Sequence, residues 1–136
     1  MNQTEFFFLA IGYYNLVGSF LLYTMLSKKL ADSVLRTWCQ IIAFDYDVGK
    51  YGSLWLCWAA TSNLFFSYIN IMAATWDKSV QAQVLWGNII VYGVFLVLAI
   101  AAIRNKNYAI GNVVTLGLFA FWLGWTIYLL FSTSFC

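Results

Sequence analysis

Four long stretches without a single charged residue constrain this chain more than any other feature of its sequence. Each has close to the roughly 20 residues that an α-helix needs to cross about 30 Å of hydrocarbon. All seven basic and all five acidic residues lie between or outside these stretches. The pattern predicts an all-α integral membrane fold, a bundle of four transmembrane helices in one domain covering residues 1–136. The predicted spans are residues 6–26, 51–74, 84–103 and 109–131.

The small number of charged residues agrees with this prediction. Only 9% of the residues are charged, whereas a soluble domain carries about 25%, so the chain has too few charges to cover a surface that faces water. The mean hydropathy is +0.79. A net charge of +2 is too small to indicate binding to nucleic acid.

The basic residues predict the orientation of the spans. Short loops on the inner side of a membrane are enriched in Lys and Arg. The first loop contains Lys28, Lys29, Arg36 and Lys50, and the third contains Arg104 and Lys106. The opposite side has only Lys78. We therefore expect a multi-pass protein with both termini on the outer, extracytoplasmic side.

The first loop contains the one amphipathic segment, at about residues 31–44. Its apolar residues recur at the spacing of one helix face, which predicts a helix lying in the inner membrane interface. The segment could instead extend the first span into solvent. The segment is either a connector whose apolar face rests on lipid, or a helix whose apolar face docks a partner subunit. The residues of that face are Val34, Leu35, Trp38, Ile41 and Ile42.

Small and polar residues recur at helical spacing within the spans. In lipid, helices associate through close packing at small residues and through hydrogen bonds between helices, so these stripes are candidate helix-packing or ligand-contact positions. They are Gly12, Asn15 and Ser19 in the first span, Ala59, Asn63, Ser67 and Asn70 in the second, Asn88 and Tyr92 in the third, and Gly117, Ala120 and Gly124 in the fourth.

Asn15 and Asn63 stand out because each falls near the centre of its span. An amide without a partner in hydrocarbon costs several kcal/mol, so each needs a hydrogen-bond partner. The partner is expected to be the other amide, or a Ser or Thr on a neighbouring helix. The alternative is a polar group on a bound lipid, quinone or carotenoid.

Several kinds of chemistry are excluded by composition. The chain has no histidine, so it cannot supply histidine ligands to haem, zinc, copper or chlorophyll. The three cysteines contain no Cys-x-x-Cys pair, which argues against a thiol oxidoreductase. We predict no metal site, no catalytic residues and no intrinsic cofactor. Lipid, carotenoid, quinone and chlorophyll ligated by a group other than histidine are the candidates for a bound molecule.

No carboxylate lies within a predicted span, although transport coupled to protons or sodium usually needs one there. The small multidrug exporters have this size and number of helices but depend on an acidic residue in the first helix, where this chain has Asn15. The ergosterol-biosynthesis membrane scaffold shares the four-helix plan with a longer first loop. The segment GKYGSLW at residues 49–55 resembles it, over those seven residues.

These observations favour a non-catalytic accessory subunit of a larger integral membrane complex, which packs against partner helices and clamps lipid or pigment. The expected partners are other integral membrane subunits and lipids. The alternative is a stand-alone protein that binds lipid, isoprenoid or quinone, or a small membrane enzyme, with a polar pocket at mid-bilayer. A self-assembling pore is a third hypothesis, but no ring of charge is visible to select ions.

Overall fold

The computed structural model describes residues 1–24, 49–104 and 110–132, with the backbone alone for residues 24, 49–56, 102, 103, 110–113 and 115. These residues form four α-helices: α1 (Gln3–Thr24), α2 (Gly49–Ala73), α3 (Lys78–Arg104) and α4 (Ile110–Ser132). The predicted interfacial helix at 31–44, with its face of Val34, Leu35, Trp38, Ile41 and Ile42, lies outside the described residues.

Two helices begin three or more residues earlier than their apolar stretches predict. At α1 the side chain of Asn2 accepts a hydrogen bond from the Glu5 N–H at 2.8 Å, and the Glu5 carboxylate accepts one from the Asn2 N–H at 2.9 Å. This reciprocal arrangement is a capping box, and it starts the helix at Gln3 rather than at residue 6. α3 begins at Lys78 rather than at residue 84. Apolarity marks a potential span, whereas the helix itself extends to its caps.

A short turn connects α2 to α3. The N–H groups of Thr75 and Trp76 donate to the carbonyls of Met72 and Ala73 at 3.0 and 3.2 Å, which closes the last turn of α2. The Gln81 side chain, one turn into α3, also donates to the Ala73 carbonyl at 2.9 Å. Side chain and backbone therefore fix the turn together.

The helices pack along one another in chain order. α1 lies along α2 and α3 lies along α4, while α2 and α3 touch over a shorter length. The apolar core lies between the helices and includes Phe7, Phe8, Ile11, Leu85, Tyr92, Trp122 and Leu129.

Two of the described helical segments, Gln3–Tyr23 and Lys78–Ala101, are long and apolar enough to cross a membrane. The part of α4 from Leu116 to Ser132 is apolar but shorter. Length and composition are thus consistent with a membrane location for the chain.

The distribution of polar and apolar side chains differs from that in a typical water-soluble protein, because polar side chains are buried beside the apolar core while large apolar side chains are exposed. Asn70, Asn88 and Ser67 are 0% exposed. Phe131 is 75% exposed and Ile90 66% exposed. Buried polar groups and exposed large apolar groups are the informative exceptions to ordinary burial, and here they occur together.

Candidate functional site

The buried polar residues of α1, α2 and α3 form one feature, which we call the polar seam. Its members contribute amide and hydroxyl groups to the space between the three helices, and all but Asn63 are buried. The seam consists of Asn15 from α1, Asn63, Ser67 and Asn70 from α2, and Asn88 and Tyr92 from α3.

Two members of the seam connect α2 to the backbone of α1. The Asn63 amide donates to the Asn15 carbonyl at 2.8 Å, and the Ser67 hydroxyl donates to the Gly12 carbonyl at 2.7 Å. Backbone carbonyls in a helix are accessible to another helix only where the two approach closely. Gly12 permits this approach, since a Cβ there would lie 2.6 Å from Ile71 Cγ1.

Asn15 connects α1 to α3. Its side-chain N–H group donates to the Tyr92 hydroxyl at 3.0 Å, and the same hydroxyl lies 3.1 Å from Asn15 Oδ1, to which it can donate. The amide also donates to the carbonyl of Ile11, one turn back, at 2.7 Å. The side-chain partner of Asn15 is thus a tyrosine rather than the amide or small hydroxyl expected from the sequence.

Asn70 and Asn88 connect α2 to α3. Asn88 Nδ2 donates to Asn70 Oδ1 at 2.8 Å, and Asn70 Nδ2 donates to the Phe66 carbonyl at 2.9 Å. Asn88 Oδ1 is buried without a hydrogen-bond partner among the described residues. Among the described residues, this oxygen is the one fully buried side-chain atom of the seam without a partner.

α4 contacts α1 through aromatic rings rather than through the polar seam. Trp122 lies with its ring centroid 5.2 Å from that of Tyr14 and 6.1 Å from that of Phe7, both on α1. Trp125 packs edge-on against Phe7 at 5.3 Å. These residues, with Phe6 and Phe121, form what we call the aromatic cluster. The buried Trp122 Nε1 has no hydrogen-bond partner in the described part of the chain.

The remaining sequence-predicted positions divide into two groups. Ser19 is buried and donates to the Asn15 carbonyl at 2.9 Å. Four small residues instead lie on the outside of the described helices and do not contribute to packing between them: Ala59, Gly117, Ala120 and Gly124. A Cβ at Gly117 or Gly124 would meet no atom within 4 Å.

Some buried polar positions were not predicted from the sequence. Gln81 is buried at the start of α3, outside the predicted span, and Thr126 is buried in α4, where it donates to the Trp122 carbonyl at 2.7 Å. Thr126 stands four residues from Trp122, a spacing that could have revealed it. Gln81 had no comparable signal.

Two concave regions lie apart from the seam. One, which we call the end cavity, has a volume of about 490 Å³ and lies where the N-terminus of α1 meets the α2–α3 turn. The other, the α3 groove, has a volume of about 380 Å³ and lies on the outer face of α3. The end cavity is lined by Asn2, Gln3, Thr4, Glu5, Ala74, Thr75, Trp76, Asp77, Lys78 and Gln81. The α3 groove is lined by Ile89, Ile90, Gly93, Val94, Val97 and Leu98.

The chemistry available to the seam is limited to hydrogen bonding. Its side chains are amides, a hydroxyl and a phenol, and the described residues contain no group of three His, Cys, Asp or Glu that could hold a metal ion. Comparison of the chain with protein-family models, with curated proteins and with solved structures finds no significant match. The functional inference therefore depends on the geometry and the sequence.

Proposed function

We propose that this protein is a non-catalytic subunit of a larger integral membrane complex. In this proposal all four helices cross the bilayer as a bundle, both termini lie on the outer side, and the outward faces contact lipid and the helices of partner subunits. The proposal depends on one observation, the burial of the polar seam between the helices together with the exposure of large apolar groups on their outer sides.

Lipid as the surrounding solvent accounts for both halves of that distribution. In hydrocarbon a polar group must find a partner within the protein, and the hydrogen bonds of the seam satisfy this requirement for its buried side-chain atoms other than Asn88 Oδ1. Exposed apolar groups have no cost in lipid, whereas in water they form patches that are prone to association. Every described helix has such groups on its outer side, including Phe20 of α1, Phe65 of α2, Val97 of α3 and Phe131 of α4.

The exposed small residues are evidence that the outer faces contact partner helices as well as lipid. Gly117, Ala120 and Gly124 of α4 stand at spacings of three and four residues, so they share one side of the helix. Small residues on an outer face let a foreign helix approach closely. The α3 groove around Gly93 provides a second concave surface of the same apolar character.

The alternative, a stand-alone protein with a ligand pocket at mid-bilayer, requires polar groups that face an open space. The amides of Asn15, Asn63 and Asn70 are hydrogen-bonded to groups of this chain, and neither the end cavity nor the α3 groove includes them. This observation favours the subunit. Lipid or pigment would then lie at the outer surfaces.

The first test separates the two readings by the size of the native particle. Native membranes are washed with alkaline carbonate, extracted in mild detergent and run on a native gel. We expect the protein to stay in the membrane through the wash and to migrate with a particle much larger than 15.5 kDa plus its micelle. A lone small band after mild extraction would contradict the subunit proposal, and release by carbonate would contradict membrane integration.

The second test probes the proposed partner face. The double variant Gly117→Leu and Gly124→Leu adds bulk where this chain has open space, so the isolated protein should fold normally while the larger particle is lost. Gly87→Leu is the matched control, because a Cβ there also meets no atom within 4 Å but the residue lies on α3. An intact particle with both leucines present would exclude the α4 face as the contact.

The orientation is tested by single cysteines placed at Gln3 and at Arg104 in a cysteine-free background. A membrane-impermeant maleimide added to intact cells should label the first position and not the second. Labelling of the second position alone would reverse the proposed topology.

A further inference from the structure

The end cavity has the size of a ligand site and a mostly polar lining. A volume of about 490 Å³ falls within the range of roughly 300–1,000 Å³ that is typical of small-molecule pockets. All of its lining residues except Ala74 and Trp76 have polar side chains. The other concave and exposed surfaces described above are apolar, so the cavity differs from them in its polar lining.

Two of the lining side chains are almost completely buried and still have unused hydrogen-bonding capacity. Thr4 is 6% exposed, and its hydroxyl makes no hydrogen bond to another described residue. Gln81 is also 6% exposed; its amide nitrogen donates to Ala73, while its amide oxygen has no partner in the described part of the chain. Both side chains line the cavity, so a molecule bound there would have a hydroxyl and an amide oxygen available for hydrogen bonds.

The charges at the cavity have both signs. Asp77 and Lys78 are adjacent, both are exposed, and neither forms an ion pair with another described residue. The third charged residue, Glu5, is already engaged, because both of its carboxylate oxygens accept from Asn2. The cavity thus offers one cationic and one anionic side chain that remain available to a ligand.

Two helices also have their N-termini at this cavity. α1 begins at Gln3 and α3 begins at Lys78, and the first N–H groups of a helix have no partner within the helix. Each N-terminus carries roughly half a positive charge, which attracts a phosphate group. These partial charges offset the Glu5 carboxylate, which leaves Asp77 and Lys78 as one negative and one positive charge. The surroundings therefore favour a ligand that carries both a positive and a negative charge over a simple anion.

We propose that the end cavity binds the headgroup of a zwitterionic phospholipid. The phosphate lies against Lys78, the helix N-termini and the Thr4 hydroxyl, and the amine lies toward Asp77 beside the Trp76 ring. This inference rests on the membrane placement proposed above.

The position of the cavity along the helices argues for a lipid rather than a soluble molecule. The two candidate spans, Gln3–Tyr23 and Lys78–Ala101, both begin at the cavity. If they cross the bilayer, their ends lie at the level of the headgroups, and Trp76 occupies the depth where tryptophan is enriched. Acyl chains attached to a headgroup here would run along the exposed apolar faces of α1 and α3.

The test measures which lipids the full-length protein retains. The protein is purified in mild detergent, incubated with an equimolar mixture of phosphatidylethanolamine, phosphatidylglycerol and diacylglycerol, and examined by native mass spectrometry. We expect phosphatidylethanolamine to be retained in preference to both others. Lys78→Gln should weaken its retention roughly tenfold, as expected for loss of a hydrogen bond to a charged group. Asp77→Asn should reduce the preference over phosphatidylglycerol.

Arg104→Gln is the matched control, because it removes a positive charge at the opposite end of α3, far from the cavity. Glycerophosphoethanolamine, which has the headgroup without acyl chains, distinguishes the source: displacement of the lipid only at high excess supports a lipid site, while efficient displacement indicates a soluble zwitterion and overturns the proposal.

Equal retention of the three lipids, or an equal loss with Arg104→Gln and Lys78→Gln, would also overturn it. Neither result affects the subunit proposal, which depends on carbonate extraction and particle size. If Lys78→Gln does not yield folded protein by circular dichroism, the lipid preference of the unmodified protein and of Asp77→Asn decides the matter.

Discussion

The polar seam and the aromatic cluster hold the helices of this protein in different ways. In the seam, α1, α2 and α3 are joined by directional hydrogen bonds, such as those from Asn63 to the Asn15 carbonyl and from Ser67 to the Gly12 carbonyl. In the cluster, α4 is held against α1 by tilted and edge-on rings, such as Tyr14 with Trp122 at 5.2 Å and Phe7 with Trp125 at 5.3 Å. The seam is buried except at Asn63, whereas the cluster extends from the buried Phe7 and Trp122 to the exposed Phe6 and Phe121.

The two kinds of contact act differently in an apolar solvent. A hydrogen bond between helices in lipid contributes about 0.6 to 2 kcal/mol, but it forms in only one register. An aromatic pair contributes about 0.5 to 1.5 kcal/mol beyond its buried area, and rings tolerate a range of angles. We therefore expect the cluster to dominate stability and the seam to determine alignment.

Loss of the central ring of the cluster should have the largest effect. Trp122→Ala removes the contacts with Phe7 and Tyr14 and leaves a cavity, so the free energy of unfolding should fall by about 3 to 5 kcal/mol. It is measured by titration with SDS in mixed micelles. Trp86→Ala is the control, because Trp86 is 53% exposed. Equal losses for the two variants would show that α4 is not held by the cluster.

A methyl group at the closest helix approach should have the next largest effect. Gly12→Ala places a Cβ 2.6 Å from Ile71 Cγ1, which forces α1 and α2 apart and should cost about 1 to 3 kcal/mol. The matched variant Gly124→Ala meets open space and should leave the unfolding midpoint unchanged or slightly raised in the same SDS titration. A cost for Gly124→Ala in the isolated protein would contradict the outward placement of that residue.

Tyr92→Phe separates the two kinds of contact at one residue. The ring contacts of Tyr92 with Phe95 and Phe119 remain, while the hydroxyl that bonds Asn15 is lost. We expect a loss of about 1 to 2 kcal/mol from the seam alone, measured against Tyr128→Phe, whose side chain is 54% exposed. If Tyr92→Phe were neutral, the hydroxyl would contribute nothing and the seam would be weaker than we propose.

Loss of one hydrogen bond between α1 and α2 should have the smallest effect on stability, and it tests how the seam sets the register of the two helices. Ser67→Ala should cost only about 0.6 kcal/mol. The same variant should broaden the pattern of disulfide cross-links between cysteines introduced along α1 and α2, because a directional contact has been lost. The control is Ser79→Ala, at the exposed start of α3. An unchanged cross-linking pattern would mean that Gly12 alone sets the alignment.

Much of the architecture could be predicted from residue pattern. The charge-free stretches located all four described helices to within a few residues, except at the start of α3, and the polar positions Asn15, Ser67, Asn70 and Asn88 were all singled out. The partner of Asn15 could not be predicted, because Tyr92 is 77 residues away. Gln81 was missed because it lies in a segment that is helical but not apolar.

Composition and the spacing of charges are enough to establish the apolar character of the helices and the absence of histidine chemistry. The sequence also marked which residues are small. Helix packing, in contrast, places Gly12 at a helix contact while Gly117 and Gly124 face outward. Packing also brings Thr4 and Gln81 to one cavity with Asp77 and Lys78. The physical reason is that helical spacing identifies a face of a helix, whereas the packing of neighbouring helices determines which faces become buried.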